Sequence, residues 1–570
     1  MSDGGGAGAL PTARPVRQAI ARDDRMMRGG LIGIVAFLVI SVLLPLYVMM
    51  SKSMEDKGGD FVGLANFVHY FSTPSLFLSA YNSFNVALVA TVIVLVSAFV
   101  YGYALTRTCM PFKGFFRLVA LIPLLTPSLL GGISLIYWFG NQGLAKGLLM
   151  GESIYGPIGI VIGSCYWVFP HALMIVVTAL SITDARLYEA AEALRASKTR
   201  TFFTVTLPSA KYGLISAGFV IFTLVFTDFG VPKVIGGNFN MLATDVYKQV
   251  IGQQNFQMGA VVSVILLLPA VVAFAVDRMV QKKQTALLSA RAVPYTPKPS
   301  RGRDLAMLVY CSIVALMILG MLGMAQYAAL VKLWPYNLSL TLANYDFNVM
   351  DGGGWRAYFN SIRMSLYTAV IGTAVVFVAA YLMEKGRGLA FGRTAVHMLA
   401  MVPLAVPGMV LGLAYIFFFN NPANPFNFLY GTMAILVIAT LVHFYTVSHL
   451  TALTALKQMD PEFESVAASL KTPIYRTFAR VTVPVCLPAV LDISMYLFLN
   501  AMTTVSAVVF LYSTNTTLAS VAVLNMDDAG DIAPAAAMAM MIAYTCVAAR
   551  VLHALLTLGI EKRTQGWRTR

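Results

Sequence analysis

Among the ionisable side chains within or beside otherwise apolar runs are Asp228, Arg363, Asp492 and Glu384. A charge placed in hydrocarbon costs roughly 3 kcal/mol, so such groups mark paths for charged or polar solutes unless an aqueous edge relieves them. Asp228 falls late in its run, at the mouth of a candidate path. Arg363 lies near the edge of its run, where it suits an anionic solute or extends to the interface. Asp492 and Glu384 are closer to run ends, where solvation accounts for them. The hydroxyls of Thr503, Thr504 and Ser506 either line a path or bond between helices. Asp527, Asp528 and Asp531 form a small acidic group, a protein contact or a solvated turn.

Covalent chemistry finds no support. There is no G-x-x-x-x-G-K-[ST] phosphate loop, and Gly352-Gly353-Gly354 lacks the following Lys and Ser or Thr, so it reads as a turn. No G-x-S-x-G occurs, and no His, Cys or carboxylate cluster has metal-ligand spacing. The five cysteines show no CxxC pair and read as small apolar packing groups. No catalytic residue, metal or bound cofactor is therefore assigned to this chain.

The elements that must position these groups follow from composition. Of 570 residues, 58% are hydrophobic and 11% charged, and mean hydropathy is +0.75. A soluble surface needs about 25% charged residues, so the chain is an integral membrane protein with lipid as its solvent. Apolar runs of about 20 residues predict an all-α fold of twelve transmembrane helices. They are 31–50, 84–105, 118–139, 157–180, 214–235, 258–276, 305–328, 358–383, 396–419, 430–454, 487–512 and 533–558. With both termini cytoplasmic, 32 of the 40 Lys and Arg fall on the cytoplasmic side. That bias satisfies the positive-inside rule and explains the net charge of +15 without nucleic acid. The first run lacks a small-residue cleavage site and reads as an uncleaved span.

The chain divides into a tail (1–29), a first unit (30–280), a polar flexible linker (281–303), a second unit (304–560) and a tail (561–570). The units repeat. Ile122-Pro-Leu-Leu-Thr-Pro127 matches Val402-Pro-Leu-Ala-Val-Pro407, and the loops Glu189–Pro208 and Ser465–Pro484 share eight of twenty residues at an offset of 276. Both units start and end on one side, so the repeat is parallel. Each loop predicts a short exposed helix. Asp184 and Asp460 are N-caps, Pro461 takes the first helical position, and Pro208 and Pro484 end the segment before the next span. Two copies of an exposed helix suit a docking element for a partner.

These loops resemble the EAA loop of ABC importer permeases, E-A-A-x-x-x-G followed by a hydrophobic-Pro pair. Glu189, Ala190, Ala191, Leu207 and Pro208 carry the resemblance in the first unit. Asp460, Pro461, Glu464, Ala467, Val483 and Pro484 carry it in the second, with Glu464 one residue before the motif position. Both copies depart at the glycine, where Arg195 and Lys471 stand. The resemblance implies two fused type I permease units of six helices each, forming a translocation pore. It also implies two copies of a separate ATP-binding subunit that hold ATP and Mg, and a periplasmic solute-binding protein. An ion-coupled secondary transporter is the alternative, but it leaves the paired loops without a purpose. Thr503–Ala539 resembles the corresponding stretch of 2-aminoethylphosphonate permeases. Asp228-Phe-Gly-Val-Pro232, ending at Gly236-Gly237, is similar to the fifth-span exit of ferric permeases. The resemblance thus puts 2-aminoethylphosphonate first and iron(III) second.

Overall fold

Proline decides where several of the membrane helices bend. In the computed structural model, which describes residues 22–287, 293, 295–350, 352–386, 390–460 and 462–564, Thr126 and Val406 stand before Pro127 and Pro407 and are extended (ψ 145° and 114°). A residue before proline is pushed out of the helical region, and each chain turns sharply there. Lys113–Leu125 meets Ser128–Phe139 at 103°, and Phe391–Ala405 meets Gly408–Phe419 at 113°. These pairs replace the straight spans expected at 118–139 and 396–419.

Eight helices are long and apolar enough to cross a membrane alone, and four bent pairs bring the total to twelve among the described residues. The structure is almost wholly helical; Val331–Leu333 pairs with Asn337–Leu340 in a small antiparallel hairpin. Two further bends correct expected spans. Met433–His443 and Tyr445–Lys457 meet at 59°, with Phe444 at φ −99°, ψ 12° and no proline nearby. Ile474–Val485 and Leu487–Thr503 meet at 77° about Cys486, just before Pro488, whose missing N–H opens the ladder. The span expected at 214–235 belongs to a helix from Lys198 to Phe226, followed by a break and the short helix Gly230–Ile235. The linker is also shorter than expected, because Phe256–Leu287 and Arg301–Leu330 extend into it from both sides.

The halves hold each other through their leading helices. Leu44–Lys52, from the first span, packs on Gly408–Phe419 of the second half, and Tyr415 donates to the Ser41 carbonyl (2.7 Å). Reciprocally, Arg301–Leu330 packs on Ser128–Phe139 of the first half. There the Met321 carbonyl accepts from Ser134 (2.8 Å) and the Gly320 carbonyl from the Trp138 ring N–H (3.1 Å). Between apolar helices in lipid such bonds contribute about 0.6 kcal/mol each and fix rotation and register as well.

Candidate coupling loops and translocation path

The first loop begins at Asp184, whose extended backbone and side chain cap the helix Ala185–Ala193 by accepting from the Arg186 N–H (3.1 Å). That amide, donated to the carboxylate, holds the Asp184 carboxyl below its usual range. In the second loop Asp460 accepts from the Glu462 N–H (2.9 Å) and the helix runs Glu462–Ser469; Pro461 lies outside the described residues. The helix ends are alike. Arg195 and Lys471 adopt left-handed backbones (φ 52° and 51°). Just beyond them, the Ala196 N–H reaches the Ala191 carbonyl and the Thr472 N–H the Ala467 carbonyl, both at 2.9 Å. This is a Schellman closure, which favours glycine at the left-handed residue. The two departures from the motif glycine therefore keep its backbone shape, at a cost of about 1 kcal/mol each.

Beyond each loop one residue is inserted into the helical ladder. Phe202–Thr206 and Phe478–Thr482 are π-turns, in which the Leu207 N–H bonds to the Phe202 carbonyl and the Val483 N–H to the Phe478 carbonyl. The widened turn absorbs the donor missing at Pro208 and Pro484. The prolines do not end their segments, as expected, but join each loop helically to the span that follows. In the first half this helix is continuous from Lys198 to Phe226.

Each loop is tied to the end of its half's second span, by different chemistry. Arg107 donates to the Leu180 carbonyl (2.5 Å) and to the Tyr188 hydroxyl (3.1 Å), and Tyr188 donates to Thr206 (3.1 Å). At the equivalent place in the second half, Lys385 pairs with Glu464 at 2.6 Å. Glu464 is thus fastened within its own half, with its side chain half-buried. Glu189, by contrast, is exposed. Each loop exposes apolar residues outward, Leu187, Ala190 and Leu194 in the first and Val466 and Leu470 in the second, where Phe463 is half-buried. A hollow beside the second loop is lined by Asp460, Phe463, Val466, Leu470, Arg476 and Arg480.

The described part of the linker lies against the first loop. The Ala185 N–H donates to the Val293 carbonyl (2.9 Å), and the Tyr295 and Tyr188 rings are 4.4 Å apart. Arg107 sits over the Tyr295 ring at 4.8 Å. Lys298 pairs with Glu192 at 2.6 Å, which raises the lysine's pKa. Instead of a free connector, these residues form a strap.

The path candidates separate. Asp228, Thr504 and Ser506 lie at the breaks that follow the two fifth spans, Asp228 and Thr504 being equivalent at the repeat offset of 276. Asp228 is buried, and its two carboxylate oxygens accept from the Gly230 and Val231 N–H groups (3.2 Å each). It caps Gly230–Ile235. The Thr504 carbonyl accepts from Ser520 (2.6 Å), and Thr503 bonds back to the Leu499 carbonyl (3.0 Å) within its own helix. Arg363 is exposed in one row with Phe359, Leu366, Tyr367 and Val370. Its placement fits extension along a lipid-facing surface, not convergence with the others. Asp492 meets His553 at 3.3 Å. No group of three His, Cys, Asp or Glu positioned for a metal occurs among the described residues.

Two features near these breaks escaped the sequence reading. A methyl group on Gly230 would overlap the Ser128 hydroxyl, and one on Gly408 would overlap the Ser506 hydroxyl. Ser128 corresponds to Gly408 and Gly230 to Ser506, so the repeat has kept one small residue and one hydroxyl at each crossing while exchanging their places. The second feature is a repeated Asn-Ser dipeptide in the second span of each half. Ser83 accepts from the Leu242 N–H and Ser361 from the Ala519 N–H, both at 2.8 Å. Asn82 donates to the Asn240 carbonyl (3.1 Å), and Asn360 to those of Asn515 (3.0 Å) and Thr517 (3.1 Å). The dipeptide's recurrence 278 residues apart was the available signal.

Twice-repeated helical halves, exchanged leading spans and matched loops define a multi-pass membrane permease of two fused units. Residues 110–286 match the family described as "Binding-protein-dependent transport system inner membrane component". The chain is 25% identical to the ferric transport system permease protein FbpB of Actinobacillus pleuropneumoniae, over 96% of this chain and 80% of that protein. It is 32% identical to the molybdenum transport system permease protein ModB of Azotobacter vinelandii, over 27% of this chain and 70% of that protein. The spermidine/putrescine permease PotB of Escherichia coli is 24% identical over 98% of its length, but this covers only 44% of this chain, as a single unit matched to a fused pair would. The chain belongs to the binding-protein-dependent transport permease family, in its two-unit ABC importer form.

Proposed function

We propose that this chain is the pore subunit of an ATP-driven importer in a bacterial inner membrane, with both termini and both loops cytoplasmic. The loops at 184–208 and 460–484 each seat on one copy of a separate ATP-binding subunit, which holds ATP and Mg and performs the hydrolysis. A periplasmic solute-binding protein delivers cargo to the opposite face. Closure of the ATP-binding subunits displaces the loops, and the path alternates between its two openings because ATP and loaded binding protein favour different states. The observation that carries this reading is the duplicated loop geometry: two capped helices with the same left-handed closure, each joined to a span through a π-turn.

For cargo, iron(III) now stands ahead of 2-aminoethylphosphonate, because the ferric permease of Actinobacillus aligns over nearly the whole chain. The phosphonate remains the second reading on the resemblance of Thr503–Ala539. Uptake by proteoliposomes holding the chain, its ATP-binding subunit and its binding protein tests both. The expected result is ATP-dependent accumulation of ferric iron; accumulation of the phosphonate alone reverses the order. Uptake by the chain without the ATP-binding subunit contradicts the importer reading.

A further inference from the structure

Each loop sits at one end of a helical lever, and the short helices that follow the two levers are joined across the halves by an ion pair. In the first half, Lys198–Phe226 spans about 40 Å at 1.5 Å per residue, and Lys233 follows seven residues later on Gly230–Ile235. In the second half the bent pair Ile474–Thr503 leads to the helix Ala519–Ala529, which carries Asp528. Lys233 and Asp528 form an ion pair across the halves at 2.8 Å, with side chains 21% and 43% exposed. A second contact lies beside it: Lys233 is over the Tyr247 ring at 5.1 Å, and Tyr247 stacks on Phe510 of the second half at 6.2 Å.

We propose that Lys233 and Asp528 are the latch that holds the outer mouth of the path shut between the two halves. This rests on the importer reading above and names the residues that close it. The support beneath the latch is firm, since the helices around it are pinned. Ser128 presses on Gly230, Ser83 caps the segment that carries Tyr247, and Ser361 caps the helix that carries Asp528. The latch itself is a half-exposed ion pair with an aromatic stack, weak enough to part and re-form. Because each member is held within its own half, a tilt of the loops that moves one half relative to the other parts the pair. Lys233 and Asp528 are therefore positioning residues for transport, acting through the levers and not through contact with cargo.

The test uses the whole importer in proteoliposomes, with the native cysteines replaced. Lys233→Cys and Asp528→Cys are joined by a short reducible bifunctional thiol reagent, because a lysine–aspartate pair sets the backbones too far apart for a direct disulfide. The expected result is at least a tenfold loss of uptake on cross-linking, restored by reductant. Uptake within twofold of the uncross-linked protein overturns the latch. Independently, Lys233→Asp and Asp528→Lys alone are expected to raise ATP hydrolysis without binding protein at least threefold, and the double exchange to return it to the wild-type level. Single variants with wild-type hydrolysis and uptake also overturn it. Failure of the unmodified importer to take up solute in response to ATP counts against the importer reading, and is seen in the control arm alone.

Discussion

The two loops share a backbone and differ in nearly everything that holds it. Both have an aspartate cap, a left-handed closing residue, an outward apolar row and a π-turn before the next span. Yet the first is fastened by Arg107 and Tyr188 and overlaid by the linker, whereas the second is fastened by Lys385 and Glu464. Beyond the loops, one lever is continuous and the other bends by 77° at Cys486, because Pro488 stands where the first half has Tyr212. The shape that the loops present outward is thus constant, and the attachments behind it vary. That pattern is expected where two copies of one partner must be met by two diverged halves.

The largest expected effect concerns the outward faces. Leu194→Asp and Leu470→Asp should each lower ATP-dependent uptake at least tenfold; loss from only one of them would show that the loops are not equivalent. Next, Gly230→Ser and Gly408→Ser should each cost about 3 kcal/mol by overpacking, read as thermal unfolding in detergent. Adding Ser128→Gly or Ser506→Gly, respectively, should recover most of that loss by giving each crossing the other's arrangement. An absence of rescue would break the equivalence of the two crossings.

The fastenings should differ in strength. Arg107→Ala removes charge-assisted bonds to a carbonyl and a hydroxyl and should cost about 2 kcal/mol. Lys385→Ala removes one partly exposed ion pair and should cost about 1 kcal/mol or less. Equal losses in the same unfolding assay would erase the contrast drawn above. The smallest effect is a gain. Arg195→Gly and Lys471→Gly should each raise stability by roughly 1 kcal/mol, by relieving a left-handed side-chain-bearing residue.

Much of this arrangement was legible in the residues. The spans followed from apolar runs, and the loops from Asp184, Asp460 and the repeated segment around Ala191 and Ala467. The bends are half visible in the sequence: the prolines at 123, 127, 403 and 407 repeat, but the size of the turns at Thr126 and Val406 is set by what packs around them. What stayed hidden depends on contacts between distant segments. The ion pair of Glu464 with Lys385 links residues 79 apart, so no local pattern announces it. The exchange of leading spans was equally hidden, since an apolar helix carries no mark of the half it packs against. Asp228 reads in the sequence as a charge late in a continuous span; the break it stands in, and the two backbone amides its carboxylate serves, depend on the local fold and not on composition.

The most direct measurement of the central claim is the sidedness and partner contact of both loops in one experiment. Ala190→Cys and Val466→Cys, each in a cysteine-free background and co-expressed with the ATP-binding subunit, are exposed in spheroplasts to a membrane-impermeant thiol reagent and then to a thiol cross-linker. The account predicts that neither site reacts from outside and that both cross-link to the ATP-binding subunit, two copies per chain. Labelling of either site from outside, or a cross-link from only one of them, would contradict it.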